Sequence, residues 1–205
     1  MTTVNTPQTT INTSIVTPAS WTRQLNLQDL YQEPGAPLEV DLGCGKGRFL
    51  AARAKQNPDV NYLGVDRLLV RLRKIEKKIV RHTLANVRLL RVEASYAVEH
   101  LLPPDSVSAC YLFFPDPWPK RRHHRRRLIN DAFLNSLNRI MRRGGSIHIA
   151  TDHANYFEGI RDCFGQRAEF EETSRLVPSE QEQTEFERIF ITNGDAIGRC
   201  SYKKR

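Results

Sequence analysis

The stretch LEVDLGCGKGRFLAARAKQ, residues 38–56, decides the fold of this chain. It opens with the apolar run Leu38–Leu42, which is typical of a buried strand, and it ends in the helical pattern Arg48–Gln56. Between them lies GCGKG, and its glycines allow the backbone to turn tightly. A strand that passes through such a turn into a helix is typical of a parallel sheet whose connections are helices. This unit therefore predicts an α/β fold.

The same alternation of strand and helix patterns continues toward the C-terminus. Further strands are predicted at 61–66, 87–92, 108–114 and 146–151, with two candidates near 168–174 and 197–202. Helices are predicted at 67–84, at 97–102, from Ile129 to a stop at Gly144-Gly145, and near 154–163. This order favours a doubly wound, Rossmann-like sheet that is mostly parallel, with an antiparallel C-terminal edge strand and helices on both faces.

The N-terminus has a different composition from the rest. Residues 1–20 contain seven threonines, two prolines and no charged side chain, which predicts a flexible tail. No internal repeat or boundary is visible after residue 38, and a length of 205 residues suits one domain. A single domain is therefore predicted over residues 21–205.

The chain is strongly basic, with a formal net charge of +8 and a pI near 9.6, which favours an anionic partner. Six Lys and Arg side chains lie within positions 120–127, and a second basic run extends from Arg67 to Arg81. A membrane surface would also attract this charge. However, the sequence has neither an apolar span of about 18 residues nor a recognisable signal peptide, so no membrane association is predicted.

Cysteine and histidine usage argues against a metal centre. The four cysteines, Cys44, Cys110, Cys163 and Cys200, are widely spaced and form no CxxC pair. This favours reduced thiols, and hence a cytoplasmic location. His123 and His124 are adjacent, so on a helix they would point about 100° apart. No metal site is predicted.

The glycine loop (Gly43–Gly47) differs from two common nucleotide-binding motifs. Arg48 stands where the dinucleotide fingerprint GxGxxG has its third glycine, which disfavours a nicotinamide enzyme. Lys46 follows the second glycine directly, outside the GxxxxGK frame, so the loop is not a P-loop either. Taken alone, the loop is equally well explained as a plain tight turn between a strand and a helix.

Acidic residues follow four successive predicted strands. Asp41 stands two residues before the first glycine, where a carboxylate can accept hydrogen bonds from the ammonium group of a bound amino acid. Asp66 ends the second strand, where an acid can bind both hydroxyls of a ribose. Glu93 and Asp116 end the third and fourth strands, so all four acids should border one crevice at the carboxyl edge of the sheet. A cationic aminoacyl group, a ribose and an adenine together describe S-adenosylmethionine, which is the predicted cofactor.

The segment CYLFFPDPWPKRRHHRRR, residues 110–127, joins the fourth strand to a cationic patch. Its prolines fix φ and remove backbone donors, which predicts a rigid loop. Asp116 lies within this loop beside dense positive charge, an arrangement suited to an active site for a polyanion. The structural alternative is an ordinary Asp-Pro turn followed by a solvated helix start. Trp118 fits either interpretation, by stacking on a base or by packing the loop.

With these residues in view, the chain resembles the tRNA (guanine-N7-)-methyltransferase family of the bacterial single-subunit type. The matching motifs are LEVDLGCGKG, YLGVD, FFPDPWPKRRHHRRR, ATD at Ala150–Asp152 and TEFE at Thr184–Glu187, in the family's order. They span nearly all of the chain after residue 38, and the FFPDPWPK motif with its basic continuation is the most specific. Three positions depart from the usual family pattern: Asp41 is often Glu, His153 is often Trp, and Glu185 is often Lys.

The resemblance implies a class I methyltransferase that transfers a methyl group from S-adenosyl-L-methionine to N7 of a guanosine in tRNA, expected at position 46 in the variable loop. The residues expected to bind the methyl donor are Asp41, Gly43, Gly45, Asp66, Glu93 and Asp116, and Asp116 is also the expected catalytic residue. The substrate guanosine is expected against Lys120, Asp152, Thr184, Glu185, Phe186 and Glu187. The cationic side chains expected to bind tRNA phosphates are Arg121, Arg122, Arg125 and Arg126. A monomer or a homodimer is expected.

Two other functions stay open on sequence grounds. Methyltransferases that act on an exocyclic base amine carry an Asn/Asp-Pro-Pro-aromatic loop after the fourth strand, and the run from Asp116 to Pro119 is similar but lacks the paired prolines. A non-catalytic RNA-binding protein with this fold would not bind the methyl donor at all.

Overall fold

The apolar strands predicted from the sequence form the centre of an eight-stranded sheet in the computed structural model, which describes residues 14–205. The strands are β1 Ile15–Val16, β2 Leu38–Leu42, β3 Asn61–Val65, β4 Val87–Leu90, β5 Val107–Phe113, β6 Met141–Thr151, β7 Phe170–Glu172 and β8 Gly198–Lys204. The helices are α1 Arg48–Gln56, α2 Leu69–His82, α3 Ala94–Tyr96 (continued by the π-helix Ala97–Leu101), α4 Asp131–Ile140, α5 Ala154–Gly165 and α6 Glu185–Asn193.

In space the strands lie in the order β1-β4-β3-β2-β5-β6-β8-β7. The pairings from β1 to β6 are all parallel, and β8 runs antiparallel to both of its neighbours. This confirms the predicted fold class. The short strand β7 is the outermost one beside β8, so the antiparallel edge consists of two strands.

The register of the parallel strands aligns their carboxyl ends. Leu42 of β2 lies opposite Val65 of β3, which in turn lies opposite Leu90 of β4. On the other side of β2, Phe113 of β5 lies opposite Ala150 of β6. Because parallel strands point the same way, the segments that follow them meet at one edge of the sheet.

Each face of the sheet carries its own apolar cluster. Helices α1 and α2 pack on one face, where Ile75 is fully buried, and α4 and α5 pack on the other, where Phe133 is buried. The neighbouring β3 residues Tyr62 and Leu63 belong to different clusters, as the alternation of side chains along a strand requires. Both predicted helix layers are therefore present.

Helix α4 ends earlier than the sequence predicts. The expected stop at Gly144-Gly145 is wrong, because Met141 already begins β6 and pairs with Val107. Gly144 instead lies within β6 with a φ of 78°, where the register between β5 and β6 shifts. Strand pairing, and not a glycine stop, decides the end of this helix.

The predicted N-terminal tail includes two residues that belong to the sheet. Residues 1–13 lie outside the described part of the chain, but Ile15 and Val16 pair in parallel with Leu89 and Leu90 of β4. Within the predicted tail, these two residues therefore have a fixed place at the edge of the sheet. A two-residue strand is stabilised by the sheet edge it joins and leaves no periodic pattern of its own in the sequence.

Helix α6 was not predicted. It begins at a capping box, in which the Thr184 hydroxyl accepts a hydrogen bond from the Glu187 backbone N–H at 3.0 Å, and it ends at Gly194 with a φ of 76°. Within residues 14–205, no helix combines the length and the apolar character needed to cross a membrane.

Candidate active site

A cavity of about 600 Å³ opens at the carboxyl ends of β2, β3, β4 and β5, where the sequence predicts a crevice. All residues predicted to contact a methyl donor line it, namely Asp41, Gly43, Gly45, Asp66, Glu93 and Asp116. The fold thus gathers side chains from four separate strand ends around one space, as parallel strands allow.

The glycine loop turns in the left-handed region of the backbone. Gly43, Gly45 and Gly47 have φ values of 81°, 56° and 66°, which glycine adopts without steric cost. A Cβ atom at Gly43 would meet no protein atom within 4 Å, so the space beside it is open to a ligand. A Cβ atom at Gly47 would lie 2.6 Å from Cγ1 of Ile75. The absence of a side chain at Gly43 therefore leaves room for a ligand, and its absence at Gly47 leaves room for Ile75 of α2.

Asp66 is buried and firmly held. Its carboxylate accepts hydrogen bonds from the backbone N–H of Gly45 at 3.1 Å and of Leu68 at 2.8 Å, and from Nη1 of Arg71 at 3.3 Å. Through these hydrogen bonds, the Asp66 carboxylate connects the glycine loop to the start of α2. A carboxylate offers about four lone-pair sites, so acceptor capacity remains for a ligand.

Asp41 lies in the same cavity but lacks such partners. Only 4% of its surface is exposed, and no residue within 14–205 donates a hydrogen bond to its carboxylate. Burial, and secondarily the nearby negative charge of Asp66, raises the pKa of Asp41 to about 7. Desolvation disfavours the charged form of an acid, and a cation entering the cavity would favour it. Asp41 is therefore the side chain best suited to bind a cationic group of a ligand.

Glu93 and Asp116 lie at the rim, where both residues are exposed to solvent. Glu93 forms an ion pair with Arg67 at 3.4 Å, with both side chains more than half exposed, so the pair contributes little to stability. Among residues 14–205, Asp116 has neither an ion pair nor a side-chain hydrogen bond. Both carboxylates are free to contact a ligand that enters the cavity.

The proline loop (residues 114–119) carries Asp116 and is held in a strained shape. Phe114 and Trp118 have φ values of 54° and 44°, in a region that aromatic residues rarely adopt. Such a backbone costs about 1–3 kcal/mol per residue and persists only where its surroundings fix it. Two hydrogen bonds do so here, from Phe114 N to the Ala150 carbonyl at 2.7 Å and from Arg127 Nε to the Pro117 carbonyl at 2.9 Å.

Arg127 is a site residue that the sequence did not reveal. It also donates from Nη2 to Oδ1 of Asn155 at 2.9 Å, and its guanidinium lies 4.7 Å from the centre of the Tyr156 ring. It therefore links the proline loop to α5 and is only partly exposed. Its place at the end of a run of arginines gives no signal of this structural role.

Trp118 packs within the loop and also faces the cavity. Its ring lies edge-on to His123, with centroids 5.8 Å apart, and Arg126 covers it at 4.9 Å. Trp118 and Arg126 both line the cavity. Trp118 therefore packs within the loop, as one of the two sequence interpretations predicts, and part of the Trp118 side chain also borders the cavity.

The residues predicted for the guanosine divide into two groups. Thr184, Glu185 and Phe186, at the start of α6, line the cavity, and Phe186 is exposed. Lys120 and Asp152 are exposed outside the cavity lining, Asp152 directly after β6 at the same sheet edge.

Glu187 has a different role from the predicted one. It is 1% exposed, it is absent from the cavity lining, and it forms an ion pair with Arg199 of β8. Its other oxygen accepts from Thr184 N at 3.4 Å, which completes the capping box. The expected direct contact of Glu187 with guanosine is therefore not supported by its placement, because its carboxylate positions α6. The sequence TEFE matches the capping-box pattern Thr-x-x-Glu, so this role of Glu187 could have been predicted from the sequence.

The connecting segment (residues 173–184) leads from β7 to α6 across the face of the sheet that carries α1. Arg48 Nη2 donates to the Glu180 carbonyl at 3.1 Å, and Arg53 Nη1 donates to Glu182 Oε1 at 3.3 Å. Glu182 is buried and also accepts from the Ser179 hydroxyl at 2.9 Å. Two arginines of α1 therefore fix the segment that brings Thr184 to the cavity. No sequence pattern marks these contacts.

The arginine segment (Arg121, Arg122, Arg125 and Arg126) forms a 3₁₀-helix beside the cavity, and all four residues are exposed. None of the ion pairs found within residues 14–205 involves them. Unpaired positive charge at the mouth of the site suits a polyanionic substrate. The described part of the chain contains no group of three or more His, Cys, Asp or Glu side chains arranged to hold a metal ion.

Comparisons with known proteins agree with this picture. Residues 35–200 match the family model described as "Putative methyltransferase". The tRNA (guanine-N(7)-)-methyltransferase of Streptococcus thermophilus (strain CNRZ 1066) is 38% identical over 168 residues, which cover 80% of this chain and 78% of that protein. The family resemblance predicted from the motifs is thereby confirmed.

Solved structures share the fold. The antibiotic-resistance methyltransferase Kmr superposes with a TM-score of 0.60 at 18% identity, over 88% of this chain and 93% of that one. SMU.1697c from Streptococcus mutans, in complex with SAH, superposes with a TM-score of 0.53 at 12% identity, over 82% of this chain and 89% of that one. At these identities the likeness concerns the fold.

Proposed function

The chain belongs to the tRNA (guanine-N(7)-)-methyltransferase family, and we propose that it transfers the methyl group of S-adenosyl-L-methionine to N7 of a guanosine in tRNA. The observation that carries this proposal is one cavity that is lined by the buried acids Asp41 and Asp66, by Asp116 and by the start of α6. Donor-side and acceptor-side groups thus face each other across one space, beside unpaired arginines.

The donor side fits a sulfonium amino acid nucleoside. Asp41 offers a buried carboxylate without a protein donor, suited to the ammonium of the aminoacyl group. The open space at Gly43 lets the backbone approach that group closely, and Asp66 has remaining acceptor capacity for ribose hydroxyls. Glu93 at the rim is placed to contact the nucleoside. When bound, the donor supplies an electrophilic methyl group.

The acceptor side has to orient the base, because its chemistry needs no general base. Guanine N7 carries an in-plane lone pair and no proton, so the protein must align this atom with the methyl group and exclude water. The carboxylate of Asp116 can accept hydrogen bonds from N1–H and from the amino group of guanine. A negative charge there stabilises the positive charge that spreads into the base as the bond to N7 forms. The strained proline loop keeps this carboxylate in one position.

Aromatic and polar groups around Asp116 complete the base site. Phe186 and Trp118 both line the cavity and expose ring surface on which a base can stack, a contact worth about 1–3 kcal/mol by comparison with single-strand binders. Thr184 and Glu185 offer polar atoms from the start of α6. Lys120 and Asp152, which lie outside the cavity, are placed for the nucleotides that flank the guanosine.

The arginine segment would bind phosphates of the folded tRNA and provide affinity without reading its sequence. The guanosine proposed as the target lies in the variable loop, at position 46. A tRNA substrate also supports a cytoplasmic location, and a monomer or a homodimer stays a prediction.

Incubation with labelled donor and an unmodified tRNA transcript tests the proposal directly. We expect label in the tRNA, release of label-bearing 7-methylguanosine on nucleoside digestion, and strand cleavage at position 46 under conditions that cleave at 7-methylguanosine. Label on an exocyclic amine would instead identify the amine methyltransferase. Absence of donor binding in calorimetry would identify a non-catalytic RNA-binding protein.

A further inference from the structure

Helix α2 presents a row of positive charges that the active site does not use. Of its fourteen residues, six are Lys or Arg and one, Glu76, is acidic. Leu72, Ile75 and Ile79 are buried against the sheet. The exposed cations on the opposite face are Arg73, Lys74, Lys77 and Arg81, which we term the α2 cationic stripe. At 100° per residue these four side chains fall within an arc of about 100°.

Within α2, Glu76 is the one acid that can offset the repulsion among the stripe cations. Arg73, Lys77 and Arg81 follow one another at intervals of four residues, a spacing at which like charges weaken a helix. No ion pair found within residues 14–205 includes a stripe residue. Two acidic residues near this helix form ion pairs with cations outside the stripe. Asp66 pairs with Arg71, and Glu93 pairs with Arg67. A solvated surface helix normally intersperses several acids among its cations, whereas this one has a single acid and six cations.

The N-terminal end of α2, from which the stripe continues, lies at the cavity. Arg67 and Arg71, at the N-terminal end of α2, line it together with Lys46 of the glycine loop. Further along the helix, Lys78 Nζ donates to the Lys46 carbonyl at 2.8 Å, so one flank of α2 abuts the glycine loop. Positive charge therefore continues from the cavity rim along the exposed face of the helix.

The stripe and the arginine segment lie on different sides of the same opening. Arg126 borders the cavity from the loop after β5, whereas α2 connects β3 and β4, and β2 separates β5 from β3 in the sheet. A ligand that spans the cavity mouth and continues along the exposed face of α2 would contact both. From Arg73 to Arg81 the stripe extends about 12 Å along the helix axis. This length covers about three or four phosphates of one strand, at about 3.4 Å each along a duplex.

We propose that the α2 cationic stripe is a second tRNA-binding surface, which holds the sugar–phosphate backbone on the side of the cavity opposite the arginine segment. This inference rests on the proposed function, since it takes tRNA as the substrate. The chemistry is that of a folded RNA: closely spaced phosphates, matched by cations that have no partner within the described protein. The stripe contributes affinity and orientation, and takes no part in the methyl transfer itself.

The test compares two double variants that remove the same amount of charge. R73Q/K77Q neutralises the centre of the stripe, and R142Q/R143Q neutralises two exposed arginines at the start of β6, at the end of that strand away from the cavity. Binding of an unmodified tRNA transcript is measured at several KCl concentrations. Donor affinity, and the rate of methyl transfer at saturating tRNA, are measured alongside.

We expect R73Q/K77Q to weaken tRNA binding about tenfold and to reduce the slope of log K against log salt by about 1.4–1.8, at about 0.7–0.9 per lost phosphate contact. Donor affinity and the saturating rate should stay within twofold of wild type. R142Q/R143Q should change tRNA affinity by less than threefold. Because R73Q/K77Q removes a repulsive pair, its melting temperature should not fall, which separates lost binding from lost folding.

Equal effects of the two double variants would overturn the inference and leave the proposed function standing, since wild-type protein would still methylate tRNA in the same assay. Loss of binding to vesicles containing phosphatidylserine, with unchanged tRNA binding, would assign the stripe to a membrane surface and equally overturn it. Failure of wild-type protein to methylate tRNA would remove the proposed function, and this inference with it.

Discussion

The glycine loop and the proline loop reach one cavity from the neighbouring strands β2 and β5, but they make their sharp turns by different means. The first uses glycines at positive φ, where glycine adopts the conformation freely. The second forces Phe114 and Trp118 into the same region and fixes them with hydrogen bonds from outside the loop.

The acids that border the cavity beside these two loops also differ. Asp41 and Asp66 are buried, whereas Asp116 is exposed. A small donor can be enclosed, so its site can be desolvated. A folded RNA cannot be enclosed, so its site has to be rigid and open. Under the proposed function, this contrast suits one sheet edge to two ligands of very different size.

The largest effect should follow from Asp116→Asn. The amide keeps the shape of the side chain but removes the negative charge and one acceptor, so we expect the methyl-transfer rate to fall at least about 100-fold. Affinity for tRNA should change less than threefold. Single-turnover kinetics with unmodified tRNA measures the rate, and filter binding measures the tRNA affinity. Asp59→Asn, at an exposed position between α1 and β3, serves as the control.

A near-normal rate for Asp116→Asn would show that the proline loop only shapes the cavity. The negative charge of Asp116 would then have no part in catalysis, and the two loops would differ only in how their turns are built.

Asp41→Asn should separate donor binding from stability. The folded-state pKa of Asp41, about 7, lies above the value of about 3.9 in an unfolded chain. The native state therefore binds more protons than the unfolded state between these values, and stability falls as pH rises from about 4 to 7. At pH 8 the ionised carboxylate is buried without a partner, so its replacement by Asn should raise the melting temperature of the ligand-free protein by a few degrees. At pH 5 the gain should be smaller.

The same substitution should weaken donor binding at pH 8 by at least about tenfold, because an ammonium group loses its counter-ion. In wild-type protein donor affinity should fall as pH drops below about 7, where Asp41 takes up a proton. Calorimetry at pH 6 and pH 8 measures both effects. An equal pH dependence in Asp41→Asn would assign that dependence to another group.

Two glycine substitutions sharpen the comparison further. Gly43→Ala and Gly47→Ala each place an alanine at positive φ, at a cost of roughly 1–2 kcal/mol. Gly47→Ala should lower the free energy of unfolding further, by about 1–3 kcal/mol, because its Cβ meets Ile75. Gly43→Ala should instead lower donor affinity, since its Cβ occupies space that the protein leaves open. Urea unfolding and donor titration of both variants distinguish a ligand-facing glycine from a packing one.

Much of the fold could be predicted because its signals are local. The bounds of α1, Arg48–Gln56, were predicted correctly, since glycines precede the helix and Asn57-Pro58 follows it. The strand-end acids were predicted to border one crevice, and Asp41, Asp66, Glu93 and Asp116 do line one cavity. Parallel topology makes this inference possible, because the ends of successive strands are brought to one edge.

What could not be predicted depends on contacts between distant segments. The pairing of Glu187 with Arg199 turns an expected substrate contact into a positioning residue, and only the approach of α6 to β8 reveals it. Arg127 appears in the sequence as one more cation of a basic run, yet it supports the proline loop. The two-residue strand β1 exists only because β4 offers an edge. The roles of the cavity residues toward donor and guanosine stay predictions.

Helix α1 connects to the glycine loop and also binds the connecting segment. Its N-terminus issues from the glycine loop, while Arg48 and Arg53 tie down the connecting segment that carries Thr184. Arg53 is held in turn by Tyr111 of β5, whose hydroxyl accepts from Nε at 3.2 Å. Anyone grafting a new acceptor specificity onto this scaffold should therefore exchange α1 and residues 173–193 as one cassette. A foreign segment placed beside the original α1 would have to offer the acceptors that Arg48 and Arg53 now find at Glu180 and Glu182.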